Sequence, residues 1–307
     1  MVDTTRSVQV NLRLPAALKE AAERVAAADH RSLTSLVEKL LAEHTRVKPA
    51  LDNWHERALT RLIGILSERR VLVSKNALLT RSYSIETRQP EQINPGLLVR
   101  NLQRVHADLG NFIPNPEIFY PYTRSEIAPY FTYDPNLTRS IAEEILECVA
   151  LPEREFQTAE FWRVSPHGLA SDVRTFHEDH ESFKQFGLDS GKWFSPFLMV
   201  RSLYSLTQHA YLFSQKFASS TTVQFRCEWM GLLEREIRDP EHTTEWPPGK
   251  MARVDGRVTT GEWPIGDVAM KWPEIVSALG GPVVRLFDPN FDFTADWIRS
   301  HMQSVLR

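Results

Sequence analysis

Between Val8 and Leu14 apolar and polar residues alternate: Val8, Val10, Leu12 and Leu14 on one side, Gln9, Asn11 and Arg13 on the other, with Pro15 closing the run. Period-two patterning is that of a strand with one buried face. A lone strand leaves its backbone N–H and C=O groups unpaired, so this one needs a partner strand as well as a cover for its apolar side. Its outward face carries two amides and a guanidinium, the side chains best matched to the base edges in the major groove of DNA.

Pro15 suits the first turn of a helix, where its fixed φ fits and its missing donor is not needed. A helix is expected over residues 16–28, with Leu18, Ala21, Ala22, Val25 and Ala26 as its apolar stripe and Lys19, Glu20, Glu23 and Arg24 on the other side. Asp29, His30 and Arg31 form a polar break. Ser32 or Thr34 can cap a second helix whose apolar face is Leu33, Leu36, Val37, Leu40 and Leu41. Roughly 45 residues rarely bury enough surface to stand alone, so this module must dimerise or dock on the rest of the chain.

Two segments, Val8-Gln-Val-Asn-Leu-Arg-Leu-Pro15 and Ser32-Leu-Thr-Ser-Leu-Val37, carry a resemblance to the ribbon-helix-helix DNA-binding proteins of the Arc and MetJ type over about the first 46 positions. The resemblance implies a homodimer in which two strands pair into an antiparallel ribbon lying in the major groove of double-stranded DNA. Gln9, Asn11 and Arg13 would then contact bases. Ser32, Leu33, Thr34 and Ser35, at the amino end of the second helix, would hold a backbone phosphate, with Arg6 and Arg31 nearby. Free N–H groups and the helix dipole favour an anion there. One departure is the turn, where many members carry a glycine and this chain has Asp29-His30-Arg31.

Charge points the same way, modestly. Residues 1–50 hold eight Lys and Arg against six Asp and Glu, a net of +2, whereas the whole chain stands at −3. Dimerisation would double the basic face. No apolar run approaches the eighteen or so residues of a membrane span, and no signal peptide is evident, so a cytoplasmic protein is expected. Cys148 and Cys227 offer no disulfide framework and read as buried thiols.

Pro49 disfavours a helical Lys48 and is expected to end the second helix. The chain then divides into a DNA-binding module at 1–48, a linker and connecting helix at 49–70, and a large unit at 71–307. Trp54, Ala58, Leu62, Ile65 and Leu66 form an amphipathic stripe suited to joining the parts or to dimer contacts. Further helices are expected over 97–109, 137–149, 197–217 and 294–306. Strands are expected over 156–164 and 222–229, and as a hairpin of 252–254 with 257–260 turning at Asp255-Gly256. The stretch 94–135, rich in Pro and Tyr, reads as largely irregular. Without regular strand-helix alternation the large unit is assigned to the α+β class.

The run Phe225-Arg-Cys-Glu-Trp-Met-Gly-Leu-Leu-Glu-Arg-Glu-Ile237, within Trp193–Ile237, is similar to a segment found carboxy-terminal to Schlafen-type AlbA-like domains in some bacterial proteins. That similarity implies an accessory or sensing unit and assigns no functional residue. No catalytic residue, metal ligand set or cofactor site is expected. Gly187 to Lys192 lacks the spacing and the Ser or Thr of a phosphate-binding loop, and no nucleophile elbow or metal-binding histidine pair occurs. His177-Glu178-Asp179-His180 reads as a solvated polar turn. Trp162, Trp193, Trp229, Trp246, Trp263, Trp272 and Trp297 can fill a core or line a pocket, and Tyr120, Tyr122, Tyr130 and Tyr133 can build a surface. The expectation is a sequence-specific DNA-binding regulator, a repressor, whose large unit serves a small-molecule or protein effector. Plasmid-partition, conjugation or antitoxin proteins with the same DNA-binding module stay open, as does an enzyme with a DNA-binding head.

Overall fold

The computed structural model describes Lys19, Glu23 and residues 33–71, 77–89, 92–113, 118–119, 130–133, 144–151, 159–180, 183–184, 187–238, 246 and 248–301. By internal contacts the chain forms two compact units, Met1–Ala50 and Leu51–Arg307. In the first, Lys19 and Glu23 are helical, exposed and ion-paired at 3.7 Å. The expected ribbon strand, with Gln9, Asn11 and Arg13, lies outside the described residues, as do Arg6, Arg31 and Ser32. The first long helix, α1, runs Leu33–Arg69. It continues through Pro49 and corrects the expected break there. Proline's φ is itself helical, so the cost is one backbone hydrogen bond and a local clash, offset where the flanking turns are held by packing.

Among the described residues the second unit has nine strands: β1 Leu78–Thr87, β2 Tyr130–Tyr133, β3 Glu144–Ala150, β4 Glu160–Val164, β5 Leu169–Thr175, β6 Trp193–Phe194, β7 Ser220–Trp229, β8 Glu236–Ile237 and β9 Arg257–Pro264. Seven make one antiparallel sheet in the order β2-β3-β4-β5-β1-β7-β9, and β6 pairs with β8 in parallel. The helices are α2 Pro95–Leu109, α3 Pro196–Ser214, α4 Ile265–Val268, α5 Trp272–Val284 and α6 Ala295–Ser300.

Register decides what each face holds. Leu79 is opposite Arg174 and Trp229, and Arg81 is opposite Asp172 and Cys227, so these residues share one face, because side chains alternate along every strand. That face contributes Tyr83, Trp162, Phe225 and Trp229 to the main core, which also takes up the apolar sides of α2, α3 and α5. On the opposite face Leu78, Phe161 and Val173 pack under Ala58, Leu62 and Leu66 of α1. The stripe that could have served dimer contacts is thus used within the unit, with Trp54 also fully buried. Helices packed on an antiparallel sheet, without strand-helix alternation, make the unit α+β.

Other expectations change. Residues 144–149, expected as helix, are strand. Ile145, Leu146 and Cys148 are all buried because both faces of β3 are covered, and a short apolar run of that kind has no period that distinguishes strand from helix. The 252–260 hairpin does not form. β9 pairs with β7 instead, and the Asp255 carbonyl accepts the Leu232 N–H at 2.7 Å. Gly256 is packed so closely on the Trp229 carbonyl that a Cβ there would collide with it. The region 94–135 contains α2 and β2. Residues 302–307 and 152–158 lie outside the described residues, so the expected helix over 294–306 is seen as Ala295–Ser300, capped by the Thr294 hydroxyl, and the strand over 156–164 as Glu160–Val164. No helix among the described residues is long and apolar enough to cross a membrane.

Candidate ligand pocket

A pocket of about 620 Å³, counting its open mouth, lies between the ends of β1, β5 and β7 and the first half of α3. The local sequence explains its walls. Ser195 caps α3 with its hydroxyl, accepting the Leu198 N–H at 3.2 Å, and Pro196 follows in the first turn. That start points Leu198, Met199, Arg201, Ser202 and Ser205 toward the pocket. Strand β5 delivers Arg174 and Thr175, and the chain then turns through Phe176, His177 and Glu178. Leu79 and Arg81 of β1, Phe194 of β6 and Trp229 of β7 complete the lining.

Most of the charged groups are anchored by bonds to neighbouring elements. The Arg81 guanidinium, 1% exposed, donates through Nε to Asp172 Oδ1 at 3.1 Å and through Nη2 to the same oxygen. Its Nη1 donates to the Ser202 carbonyl at 3.1 Å and hydroxyl at 2.7 Å, tying α3 to the sheet. Arg174 Nη2 stands 3.5 Å from Glu160 Oε2 on β4. Glu178 Oε1 accepts the Ser195 N–H at 3.1 Å, so one carboxyl braces the helix start. Its neighbour Asp179 accepts two N–H bonds from the fully buried Arg235, at 2.8 and 2.7 Å, and the Gly191 N–H at 2.7 Å. The Arg235 guanidinium lies 4.7 Å from the Phe176 ring centroid. The expected solvated turn at 177–180 is corrected accordingly: its two carboxyls are buried, because paired donors on the neighbouring loops replace water.

Burial pushes the Glu160 carboxyl up to about 8, with Arg174 opposing and Asp172 reinforcing the shift. Burial likewise raises Glu178 to about 7, against its own and the Ser195 backbone donors and Arg235. Both folded values exceed the ordinary one, so the folded chain keeps protons that the unfolded chain releases. The associated stability is present below about pH 4.5 and is lost as pH rises through the folded values. The stability advantage of wild type over Glu160→Gln should therefore shrink steadily from pH 5 to pH 8 in urea unfolding. A difference that stayed constant across that window would show that Glu160 is ionised in the folded chain.

A second polar group sits on the other face, beneath α1. His55 Nδ1 is 2.8 Å from Ser82 Oγ, and its Nε2 is 3.1 Å from Glu228 Oε2. Ser, His and Glu in a chain suggest a hydrolase, yet His55 and Ser82 are fully buried. Burial also lowers the His55 pKa, against the Glu228 contact. With Arg226 bonded to Asp52 at 2.9 Å, the group docks α1 on the sheet.

Of the residues expected to touch DNA, Leu33, Thr34 and Ser35 open α1, and the others lie outside the described residues. Trp162, Trp193, Trp229 and Trp246 are buried and Trp263, Trp272 and Trp297 pack on the core; Trp229 alone of these seven lines the pocket. Cys148 and Cys227 are buried and form no disulfide. Among the described residues no group of three His, Cys, Asp or Glu could hold a metal ion. Tyr120 and Tyr122 lie outside the described residues, and Tyr130 and Tyr133 belong to β2. Arg81, Arg174 and Arg201 were not singled out from the sequence. The available signal was charged residues alternating with apolar ones in short strands, as in Glu160-Phe-Trp-Arg-Val164 and Leu169-Ala-Ser-Asp-Val-Arg-Thr175. The chain matches no protein-family model, no curated protein and no solved structure.

Proposed function

We propose that this chain is a dimeric, sequence-specific DNA-binding repressor whose residues 51–307 sense a small molecule. The observation that carries the DNA-binding half is the alternation of Val8–Leu14, with Gln9, Asn11 and Arg13 outward and a helix-turn-helix pattern behind it. Two copies supply a paired ribbon whose inward apolar faces close over the helices of both chains. Base contacts then come from the three outward side chains, and phosphate contacts from Ser32 to Ser35 with Arg6 and Arg31. The pocket under α3 supports the sensing half, since it is concave and combines apolar walls with polar and charged side chains.

Selection of bound fragments from random DNA with the full chain, followed by footprinting, tests the first half. Enrichment of a two-fold-related pair of half-sites is expected. Failure to enrich any sequence, at a salt concentration where the protein is folded, overturns the assignment.

A further inference from the structure

We infer that the edge strand β9 pairs with β9 of a second copy of this chain, antiparallel about a two-fold axis at Thr260, so that one sheet runs through both copies. The contact lies wholly within residues 51–307 and is separate from the proposed amino-terminal ribbon. Strand β9 ends the sheet order, and among the described residues no strand pairs with its outer side. The ladder itself shows which backbone groups face outward. The Met230 N–H donates to the Leu78 carbonyl at 2.9 Å, so even-numbered residues of β7 bond to β1 and odd-numbered ones to β9. Those odd-numbered residues are in register with Arg257, Thr259, Gly261 and Trp263. The N–H and C=O groups of Val258, Thr260 and Glu262 therefore point away from the sheet, and the side chains of all three are exposed. An edge of this kind is a template for another strand.

The pattern of the edge selects a second copy as its occupant. Pairing about Thr260 sets Val258 of each copy opposite Glu262 of the other and joins the two Thr260 residues, which satisfies the outward groups of all three positions. Centred on Thr259, the pairing would leave Glu262 outside the ladder. Centred on Gly261, it would set Val258 opposite Pro264, which has no N–H to give. The same two-fold brings Arg257 of one copy beside the half-buried Trp263 of the other, a guanidinium next to an indole. The flanks match as well. Val254, 52% exposed, precedes the strand, and Met270, 74% exposed, follows it, so antiparallel pairing puts apolar flank beside apolar flank. Three ladder positions cover much less than the roughly 800 Å² per partner of a stable interface, so the contact is weak and forms at about 10 μM or above. At the lower concentrations of a DNA-binding measurement it is open, and any dimer found there is made elsewhere in the chain.

Cysteine cross-linking of the full chain, without DNA, tests the register. Cys148 and Cys227 are buried, which leaves an introduced surface cysteine to react. Under mild oxidation Thr260→Cys should give a disulfide-linked dimer, because directly opposed Cα atoms lie about 5.5 Å apart, within disulfide reach. Glu262→Cys should cross-link at least tenfold less, since the two copies of that position are offset along the ladder. Amide exchange of the wild-type segment 257–264, read by mass spectrometry, should slow at least threefold between about 1 μM and about 500 μM. In Thr260→Pro it should not depend on concentration, because the substitution removes an outward N–H and spares the bonds to β7. The two cysteine variants decide the question if Thr260→Pro does not fold. No cross-linked dimer from Thr260→Cys, equal cross-linking at both positions, or concentration-dependent slowing that persists in a folded Thr260→Pro variant would overturn the assignment. Full protection of 257–264 already at the lowest concentration would also overturn it, by showing that another segment of the same chain covers the edge. These readouts lie in β9 and use no DNA, so their failure leaves sequence-selective DNA binding untouched, and a failed DNA selection leaves the β9 result standing.

Discussion

Arg81→Met should destabilise the unit Leu51–Arg307 by about 3–5 kcal/mol, the usual cost of removing one partner of a buried ion pair. Arg81 is surrounded by protein and donates to Asp172, to the Ser202 carbonyl and to the Ser202 hydroxyl. Methionine fills a similar length but leaves the fully buried Asp172 carboxyl facing an apolar neighbour. It also removes a side chain that bonds both to the β5 strand and to the α3 backbone. Adding Asp172→Leu should restore most of the loss, because replacing both partners by apolar groups of similar volume is often neutral or favourable. Urea unfolding followed by tryptophan fluorescence measures both. If the single variant cost under about 1 kcal/mol, or if the double variant were as damaged as the single, the pair would be incidental to the fold.

Elements whose signal is local were legible in the sequence. The helices expected over 197–217 and 97–109 are seen as α3 Pro196–Ser214 and α2 Pro95–Leu109, each carried by apolar residues at helical spacing within a short stretch of chain. The strand β7 was also found, from its β-branched and aromatic alternation. Central strand β1 was not. Thr80, Arg81 and Ser82 are polar and would ordinarily mark an exposed face or a loop, yet all three are buried, since β5 and β7 flank them and helices cover both faces. Helix α5 was missed for another reason: Gly280, Gly281 and Pro282 look like breakers. The absent side chain at Gly280 is what lets Met199, Phe293 and Leu203 approach, so the glycine serves packing between helices. The pocket was illegible for a reason of assembly. Arg81, Arg174, Glu178 and Arg201 come from separate elements, and no spacing along the chain announces that register and the seat of α3 bring them together.

Leu12→Asp should weaken binding to the selected DNA at least a hundredfold while leaving the thermal unfolding of residues 51–307 unchanged. Leu12 occupies the middle of the inward face in the proposed ribbon, so a dimer would bury two carboxylates with no cation assigned to either. Burying an unpaired polar group costs several kcal/mol, and symmetry imposes the cost twice. Dimerisation through the module and DNA binding should therefore fail together, because neither chain alone closes the ribbon or offers both half-sites. Sedimentation and fluorescence anisotropy on the selected site, with the same variant and protein concentration, separate the two losses. A Leu12→Asp protein that stayed dimeric but lost DNA would move Leu12 to the outward face. One that bound the selected site with near-normal affinity would show that residues 8–14 do not form the reading element, and the search for it would pass to the basic residues elsewhere in the chain.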